Sequence, residues 1–559
     1  MAHLPGEPAT PAVGPDDGED GLVRSAFHRR LDAALWLVVC AAILVAVPIG
    51  FVSNDGLGHS RAFAAGTWEL NPNHLLFEPL GAAWQRVWAR LDPARAGVDA
   101  LKLLSAVAGA VAVALFRLRV VPLVAERRWI ANYATASVGL SSAFLRLWVS
   151  DEIHMIQLPF VVALAGEALR LFARPTLNRG FRAGAAIGLA TLCFVSNILL
   201  GASLALALLW GPCSEVRHRA ARRELRRAAA GLAAAALSVT VPIFLLAAPH
   251  QSGAAGCLAW LTHGRLGADR PLARGEAGYG LELSARGLGE ALLRSGYGAA
   301  SALVDLSPLA AAVRDRQSFS AEAARGGFGG LVLLGAGAGL LLALRFSLRA
   351  FAPAPIRGTG WLAFCWLVPV LGFGFLWNNS DDQFYFQLAP IFGLLAAVAA
   401  SHLARRRLWV ALGLAALVWN LADVGVRRIL YPRAERIAQM TAATADACLV
   451  VLPGFDEAEM VFTLSPVVSS IDHLSLTDIA TRWPPEQGFP HLLGRINDCI
   501  RLGRKVVLVD IFDSALERNP WKYLRRLGYD HANVARRLEP IVRAAPPRRA
   551  GPFFVRSVD

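Results

Sequence analysis

Residues 32–52 read DAALWLVVCAAILVAVPIGFV, and Arg24, His28, Arg29 and Arg30 stand directly before them. A bilayer core is crossed by about 20 apolar residues in a helix, so this run is long enough to span one. Basic residues on the leading side mark that side as cytoplasmic. Directly after the run comes Ser53-Asn54-Asp55-Gly56-Leu57-Gly58-His59-Ser60-Arg61. The chain therefore opens with a span whose N-terminus is inside and which carries an acid at its outer edge. Residues 1–30 ahead of it are polar and rich in Pro, Gly and Asp. They read as a disordered cytoplasmic tail, too acidic for the n-region of a signal peptide.

The rest of the composition agrees with a membrane protein. Of 559 residues, 55% are hydrophobic and 18% charged. Soluble domains carry roughly 25% charge. The balance is basic, 56 Lys+Arg against 42 Asp+Glu. The basic residues punctuate apolar runs and do not gather in one patch, so they report topology and argue against nucleic acid as a partner. Seven cysteines occur without a CxxC pair, which indicates neither a zinc site nor a disulfide-rich scaffold. No P-loop and no GxGxxG opening a helix is present, which argues against an ATP-driven pump on this chain alone.

Further candidate spans lie near 99–116, 129–148, 153–173, 183–197, 198–212, 229–248, 328–345, 360–377, 385–401 and 408–426. Arg-rich connections occur at 117–128, 170–182, 217–227, 345–357 and 405–407. The positive-inside rule places all of them in the cytoplasm. The alternation then requires a break at Ser196-Asn197. The opposite side receives 53–98, 149–152, 249–327, 377–384 and everything after about 427. The fold class is an α-helical polytopic membrane protein of about 11 spans over 31–428, with a C-terminal soluble domain. That domain, 429–559, is polar with short apolar runs such as Leu449-Val450-Val451-Leu452 and Val506-Val507-Leu508-Val509. Helical patterns at 491–502 and 514–527 neighbour them, so the expectation is a small α/β domain with buried strands. Cys448 and Cys499 could pair if it lies outside, although two separate buried thiols is the simpler reading.

Ionisable groups at the membrane face are costly and tend to be functional. Three outer segments carry them. In the first, a partly desolvated Asp55 could take a proton from an attacking hydroxyl. An Asn-Asp-Gly turn would equally account for these residue types. The same loop continues through Asn71-Pro72-Asn73-His74-Leu75-Leu76-Phe77-Glu78. The second is the tight Ser150-Asp151-Glu152 followed by Ile153-His154, with Arg146 close by. These acids could bind an acceptor or a divalent metal, or simply cap the next helix. The third, Trp377-Asn378-Asn379-Ser380-Asp381-Asp382, offers the same choice between ligands and caps. Glu167, three residues before Arg170, reads as an ordinary i,i+3 pair.

Taken together, these segments resemble the GT-C superfamily of integral-membrane glycosyltransferases, and among them the bacterial relatives of protein O-mannosyltransferases and lipid A aminoarabinose transferases. The resemblance covers mainly 30–210. Asp55 matches the acid of that family's first outer loop, and Asp151-Glu152 matches a later acidic pair. Asn73-His74-Leu75-Leu76-Phe77 is similar to a His-Pro-Leu-Tyr type element but lacks the proline. Asn54-Asp55 stands where the family has Asp-Glu. The resemblance implies transfer of a sugar from a polyprenyl phosphate at the outer face of a bacterial inner membrane to an extracytoplasmic acceptor hydroxyl. Asp55 would be the base, in an inverting displacement. Asp151 and Glu152 would serve catalysis by holding the acceptor, or a divalent cation such as Mg or Mn. His59, Arg61, His74 and Arg146 would meet the departing phosphate, and Glu78, His154, Asp381 and Asp382 would complete the substrate site. No nucleotide cofactor is required. Two other classes fit the composition: a transporter or flippase, and a non-catalytic envelope scaffold.

Overall fold

The computed structural model describes residues 18–46, 59–60, 62–64, 66, 68, 70–71, 73–92, 97–141, 144–145, 153–210, 219–247, 335, 337–349, 352–376, 386–430, 433–454, 461–462, 471–512, 521, 524–525, 527–542, 547–550 and 553–558. Helix α1, Gly18–Ala46, begins inside the stretch expected to be a disordered tail. Acids near its start suit a helix N-terminus, and the apolar run lets the helix propagate backward. Next come α2 (Phe77–Leu91) and α3 (Val98–Leu115), the latter running on through a π turn at Phe116–Val120 and a 3-10 turn at Val121–Leu123. They are followed by α4 (Arg128–Gly139), α5 (Leu158–Ala173), α6 (Leu177–Cys193), α7 (Ile198–Trp210) and α8 (Arg219–Ala247). Then come α9 (Gly337–Ser347), α10 (Ala354–Leu376), α11 (Ala389–His402) and α12 (Arg406–Leu430).

A helix thus falls on each segment expected to span. Among the described residues, three stretches meet the length and hydropathy of a membrane span by themselves: Asp99–Leu123, His154–Ala173 and Arg223–Ala247. The expected break is present: Phe194 is extended and Val195–Asn197 forms a 3-10 turn between α6 and α7.

Helix pairing in this bundle depends on small residues. Gly180, Gly184 and Gly188 recur every four residues along one face of α6. A Cβ at Gly180 would lie 2.2 Å from the Ala228 carbonyl oxygen, and one at Gly184 would lie 2.3 Å from that of Leu232. Only glycine lets the two backbones approach so closely, which is how helices associate where lipid removes the hydrophobic drive. One large core joins most of the helices, with Phe116, Val138, Leu164, Trp366 and Leu394 fully buried in it.

The bundle has two chemically different ends. At one, Asp32 of α1 accepts from Arg117 and from Arg128, whose Nε lies 3.0 Å away. Arg170 donates to the Arg119 carbonyl at 2.9 Å, and Arg179 to the Arg170 carbonyl at 2.8 Å. Arg170 also pairs with Glu167 at 2.9 Å, as its spacing suggests. The Arg-rich connections 117–128 and 170–182 therefore meet. Helix α5, with 16 residues, carries the chain from the other end over about 24 Å at 1.5 Å per residue.

After α13 (Arg433–Thr444) the chain forms a five-stranded sheet in the order β2-β1-β3-β5-β4. The strands are β1 (Ala447–Leu452), β2 (Asp472–Ser475), β3 (Lys505–Val509), β4 (Arg548–Ala550) and β5 (Phe553–Val558). Strand β1 pairs in parallel with β2 and β3, and β5 runs antiparallel to β3 and β4. Leu449, Val451, Val506 and Leu508 enter one core, with α14 (Leu476–Arg482), α15 (Pro485–Arg501) and α16 (His531–Val542). Val450, Leu452, Val507 and Val509 enter another with Met440 and Phe462. Both faces are buried, so the strands read as continuous apolar runs. Helix α15 covers the expected 491–502 pattern, whereas 514–527 falls mostly outside the described residues. Cys448 and Cys499 form a disulfide with their Cα atoms 6.2 Å apart, correcting the reading of two separate thiols. Sequence spacing could not show that the second residue of β1 faces the last turn of α15.

Candidate functional site

The end of the bundle opposite the arginines is built on the break between α6 and α7. Ending α6 at Cys193 leaves backbone groups without helical partners. The segment ahead of α2 supplies some of them. Leu76 N donates to the Leu192 carbonyl at 2.8 Å, and Val195 N donates to the Asn73 carbonyl at 3.1 Å. His74 Nδ1 lies 3.3 Å from the Cys193 carbonyl oxygen, as a donor in the matching tautomer. The Asn73-His74-Leu75-Leu76-Phe77 element is thus docked along the break. Leu75 packs there with Leu192 and Ala247.

The turn ahead of α5, Ile153–Gln157, arrives at the same place. The His154 ring stands 5.6 Å from that of His74, and both lie against Phe194, His74 stacked at 5.3 Å and His154 edge-on at 4.9 Å. Three sequence-distant segments share this one aromatic cluster.

Beside it is a buried amide network. Asn197 Nδ2 donates to Gln157 Oε1 and, at 2.9 Å, to the Ala190 carbonyl. Gln387 Nε2 reaches Gln157 Oε1 at 3.4 Å and Ser196 Oγ at 3.4 Å. Gln157 Nε2 and Asn197 Oδ1 keep unused hydrogen-bonding capacity among the described residues. Gln387 follows the acidic segment at 381–382 by only a few residues, so residues near all three acidic segments of the sequence meet here.

A second cluster lies within the first loop. Glu78, in the first turn of α2, is 2% exposed, and its Oε1 is 3.3 Å from His59 Nδ1. The ring of His59 stacks on Phe63 at 5.9 Å and meets Phe77 edge-on at 5.0 Å. Gln85 Nε2 donates to the Ser60 carbonyl at 3.0 Å, tying the His59 turn to α2. Lys102, which sequence reasoning did not single out, is fully buried near the start of α3, with Nζ 3.9 Å from Asp99. Nothing in its local sequence marks it as facing inward.

Of the expected site residues, the structure places His59, His74, Glu78 and His154, in two adjoining groups held by α2 and the α6–α7 break. Asp55, Arg61, Arg146, Asp151, Glu152, Asp381 and Asp382 lie outside the described residues. Among the described residues, no three of His, Cys, Asp and Glu gather as a metal-binding group.

No protein-family model and no curated protein matches the chain. Solved structures do. An oligosaccharyltransferase of Archaeoglobus fulgidus, tethered to an acceptor peptide carrying the NVT sequon, aligns with TM-score 0.51 and 13% identity over 90% of this chain and 71% of that one. The AglB oligosaccharyltransferase of the same organism, in complex with an inhibitory peptide and a dolichol-phosphate, gives TM-score 0.50 and 13% identity over 93% and 74%. ArnT of Cupriavidus metallidurans, bound to undecaprenyl phosphate, gives 0.45 and 14% over 94% and 97%. The chain has the fold of these archaeal oligosaccharyltransferases: a helical bundle, three of whose described helices are long and apolar enough to cross a membrane, followed by a small sheet domain.

Proposed function

We propose that the protein is a glycosyltransferase that moves a sugar from a polyprenyl-phosphate donor in the membrane to an acceptor hydroxyl at the outer face. The observation that carries this reading is the meeting of His74, His154 and Phe194, beside the Gln157–Asn197–Gln387 network, at the end of the bundle opposite the Asp32–Arg117 cluster. These residues root the three outer segments that bear Asp55, Asp151-Glu152 and Asp381-Asp382. The archaeal neighbour's dolichol-phosphate and the acceptor peptide of its relative support a lipid phosphate and an extracytoplasmic acceptor as partners here. The disulfide between Cys448 and Cys499 supports an oxidising compartment for the C-terminal domain, and so an outer position for this end of the bundle. The orientation follows the positive-inside rule, with the arginine end in the cytoplasm of a bacterial cell.

In this reading, the donor's tail lies between helices and its phosphate sits at the His-rich end. Asp55 takes the proton of the acceptor hydroxyl as its oxygen attacks the anomeric carbon from the side opposite the phosphate, inverting the centre. Asp151 and Glu152 orient the acceptor. Arg61, Arg146, His59 and His74 face the phosphate, with buried Lys102 adding positive charge at the same end. Glu78, His154, Asp381 and Asp382 shape the remainder of the site. If a divalent cation is bound, the outer acids are its ligands and it supplies charge stabilisation at the phosphate.

The test is transfer from radiolabelled polyprenyl-phosphate sugars in membranes carrying the chain, compared with membranes lacking it. New labelled product only where the chain is present establishes the reaction. No transfer from any donor by folded, inserted protein rejects it.

A further inference from the structure

We propose that His59 and Glu78 form a proton-transfer dyad, with His59 protonating the phosphate oxygen that leaves the sugar. The inference rests on the donor being a phosphate-linked sugar. Three observations set His59 apart from the other histidine of its loop. First, its Nδ1 faces a carboxylate that is almost completely buried, 3.3 Å away. Glu78 sits in the first turn of α2, where a negative charge is favoured by the helix dipole. Second, the Phe63 ring stacks on one face of the imidazole and Phe77 meets it edge-on. With the Nδ1 edge against Glu78, the edge that remains is the one carrying Nε2. The His59 side chain is 19% exposed against 3% for Glu78, so the histidine is the member open to a substrate. Third, the Gln85 bond to the Ser60 carbonyl holds the His59 backbone to the helix that carries Glu78. His74, by contrast, turns Nδ1 to a carbonyl, stacks on Phe194 and serves the docking of the loop.

A buried carboxylate that orients imidazole through Nδ1 leaves Nε2 to exchange protons with a reactant, and it balances the charge of the doubly protonated ring. The step is balanced as follows. The acceptor oxygen bonds to the anomeric carbon and gives its proton to Asp55. The bond from that carbon to the phosphate oxygen breaks, and its electron pair goes to the oxygen. That oxygen takes the proton from His59 Nε2, leaving neutral His59 and a polyprenyl phosphate one charge less negative. His59 then regains a proton from water, and Asp55 returns its own. In this scheme His59 is catalytic and Glu78 is a positioning residue.

The experiment compares two donors with the purified full chain: the natural oxygen-bridged lipid phosphate sugar, and its analogue with sulfur at the bridging position. A sulfur leaving group needs little protonation. His59→Gln is expected to lower kcat with the oxygen donor by about 10²–10⁴-fold with little change in donor KM. With the sulfur donor the loss should be much smaller. Asp55→Asn should lose activity with both donors. Glu78→Gln should follow His59→Gln in direction with a smaller loss, and stands in for it if His59→Gln does not fold. Equal losses for both donors would make His59 structural and overturn the proposal, as would a native rate in the variant. If the native chain transfers from neither donor, the glycosyltransferase reading itself fails and the dyad falls with it. A native chain that works beside an unaffected variant defeats the dyad alone.

Discussion

Gln387 Nε2 and Gln157 Oε1 lie 3.4 Å apart although 230 positions separate them. The contact joins the root of α11 to the root of α5, and Asn197 completes it from the α6–α7 break. Buried amides in contact are costly to leave half-paired. Replacing Asn197 with Leu should therefore lower stability by about 1–3 kcal/mol and weaken transfer. The double variant with Gln387→Leu should be less damaging than the sum of the single variants. Strict additivity in detergent unfolding would show that the network is not coupled.

The glycine stripe of α6 makes a sharper structural prediction. Gly184→Ala places a methyl where the Leu232 carbonyl oxygen already lies, 2.3 Å from the new carbon. Helices α6 and α8 must separate, and overpacking of this kind costs about 1–3 kcal/mol. A lower unfolding temperature in detergent is expected. An unchanged one would mean that the two backbones are not in contact.

Tyr529 gives the C-terminal domain a pH-dependent contribution on the alkaline side. Its hydroxyl donates to the Trp483 carbonyl at 3.1 Å. Burial, and then the charge of Glu486, hold its ionisation above the ordinary value of 10.0. The unfolded chain loses this proton near the ordinary value while the folded chain retains it, so stability is complete below that pH and falls as pH rises through the folded value. Tyr529→Phe should cost about 1 kcal/mol at neutral pH by removing the hydrogen bond, yet flatten the alkaline decline. A decline of unchanged slope would contradict this. Gly488→Ala should destabilise the same domain, because its Cβ would fall 1.7 Å from the Tyr529 hydroxyl oxygen.

The disulfide is the fourth test. It closes a loop between cysteines 51 positions apart, and such a bridge contributes about 2–4 kcal/mol. Reduction, or Cys448→Ser with Cys499→Ser, should lower the unfolding temperature of the C-terminal domain. A domain equally stable when reduced would show that the bridge adds nothing.

Much of the architecture was legible because membrane and buried-strand segments announce themselves by long apolar runs. Leu449–Leu452 and Val506–Val509 became strands, and Ser196-Asn197 became the break. Glu167 and Arg170 are paired because their spacing alone places them together. What was not legible depends on which face meets which. Gly180, Gly184 and Gly188 are visible as a spacing, but nothing names α8 as the partner. Asp32 stood at the edge of the first span, yet the partners that bury it, Arg117 and Arg128, lie 85 and 96 positions away, and no local pattern joins them. His74 could be singled out as polar and outer. Its docking against Cys193 exists only because the break exposes that carbonyl. Lys102 was missed because a lone lysine among apolar residues does not say which way it points.

The central claim is glycosyl transfer driven by a base in the first outer loop, and the most direct measurement is the rate of transfer by Asp55→Asn against the native chain at saturating polyprenyl-phosphate sugar. Loss of a general base lowers such a rate by about 10²–10⁴-fold, and that fall is the predicted result, with donor binding retained. Equal rates for the two proteins would contradict the account and move the base to Asp151 or Glu152.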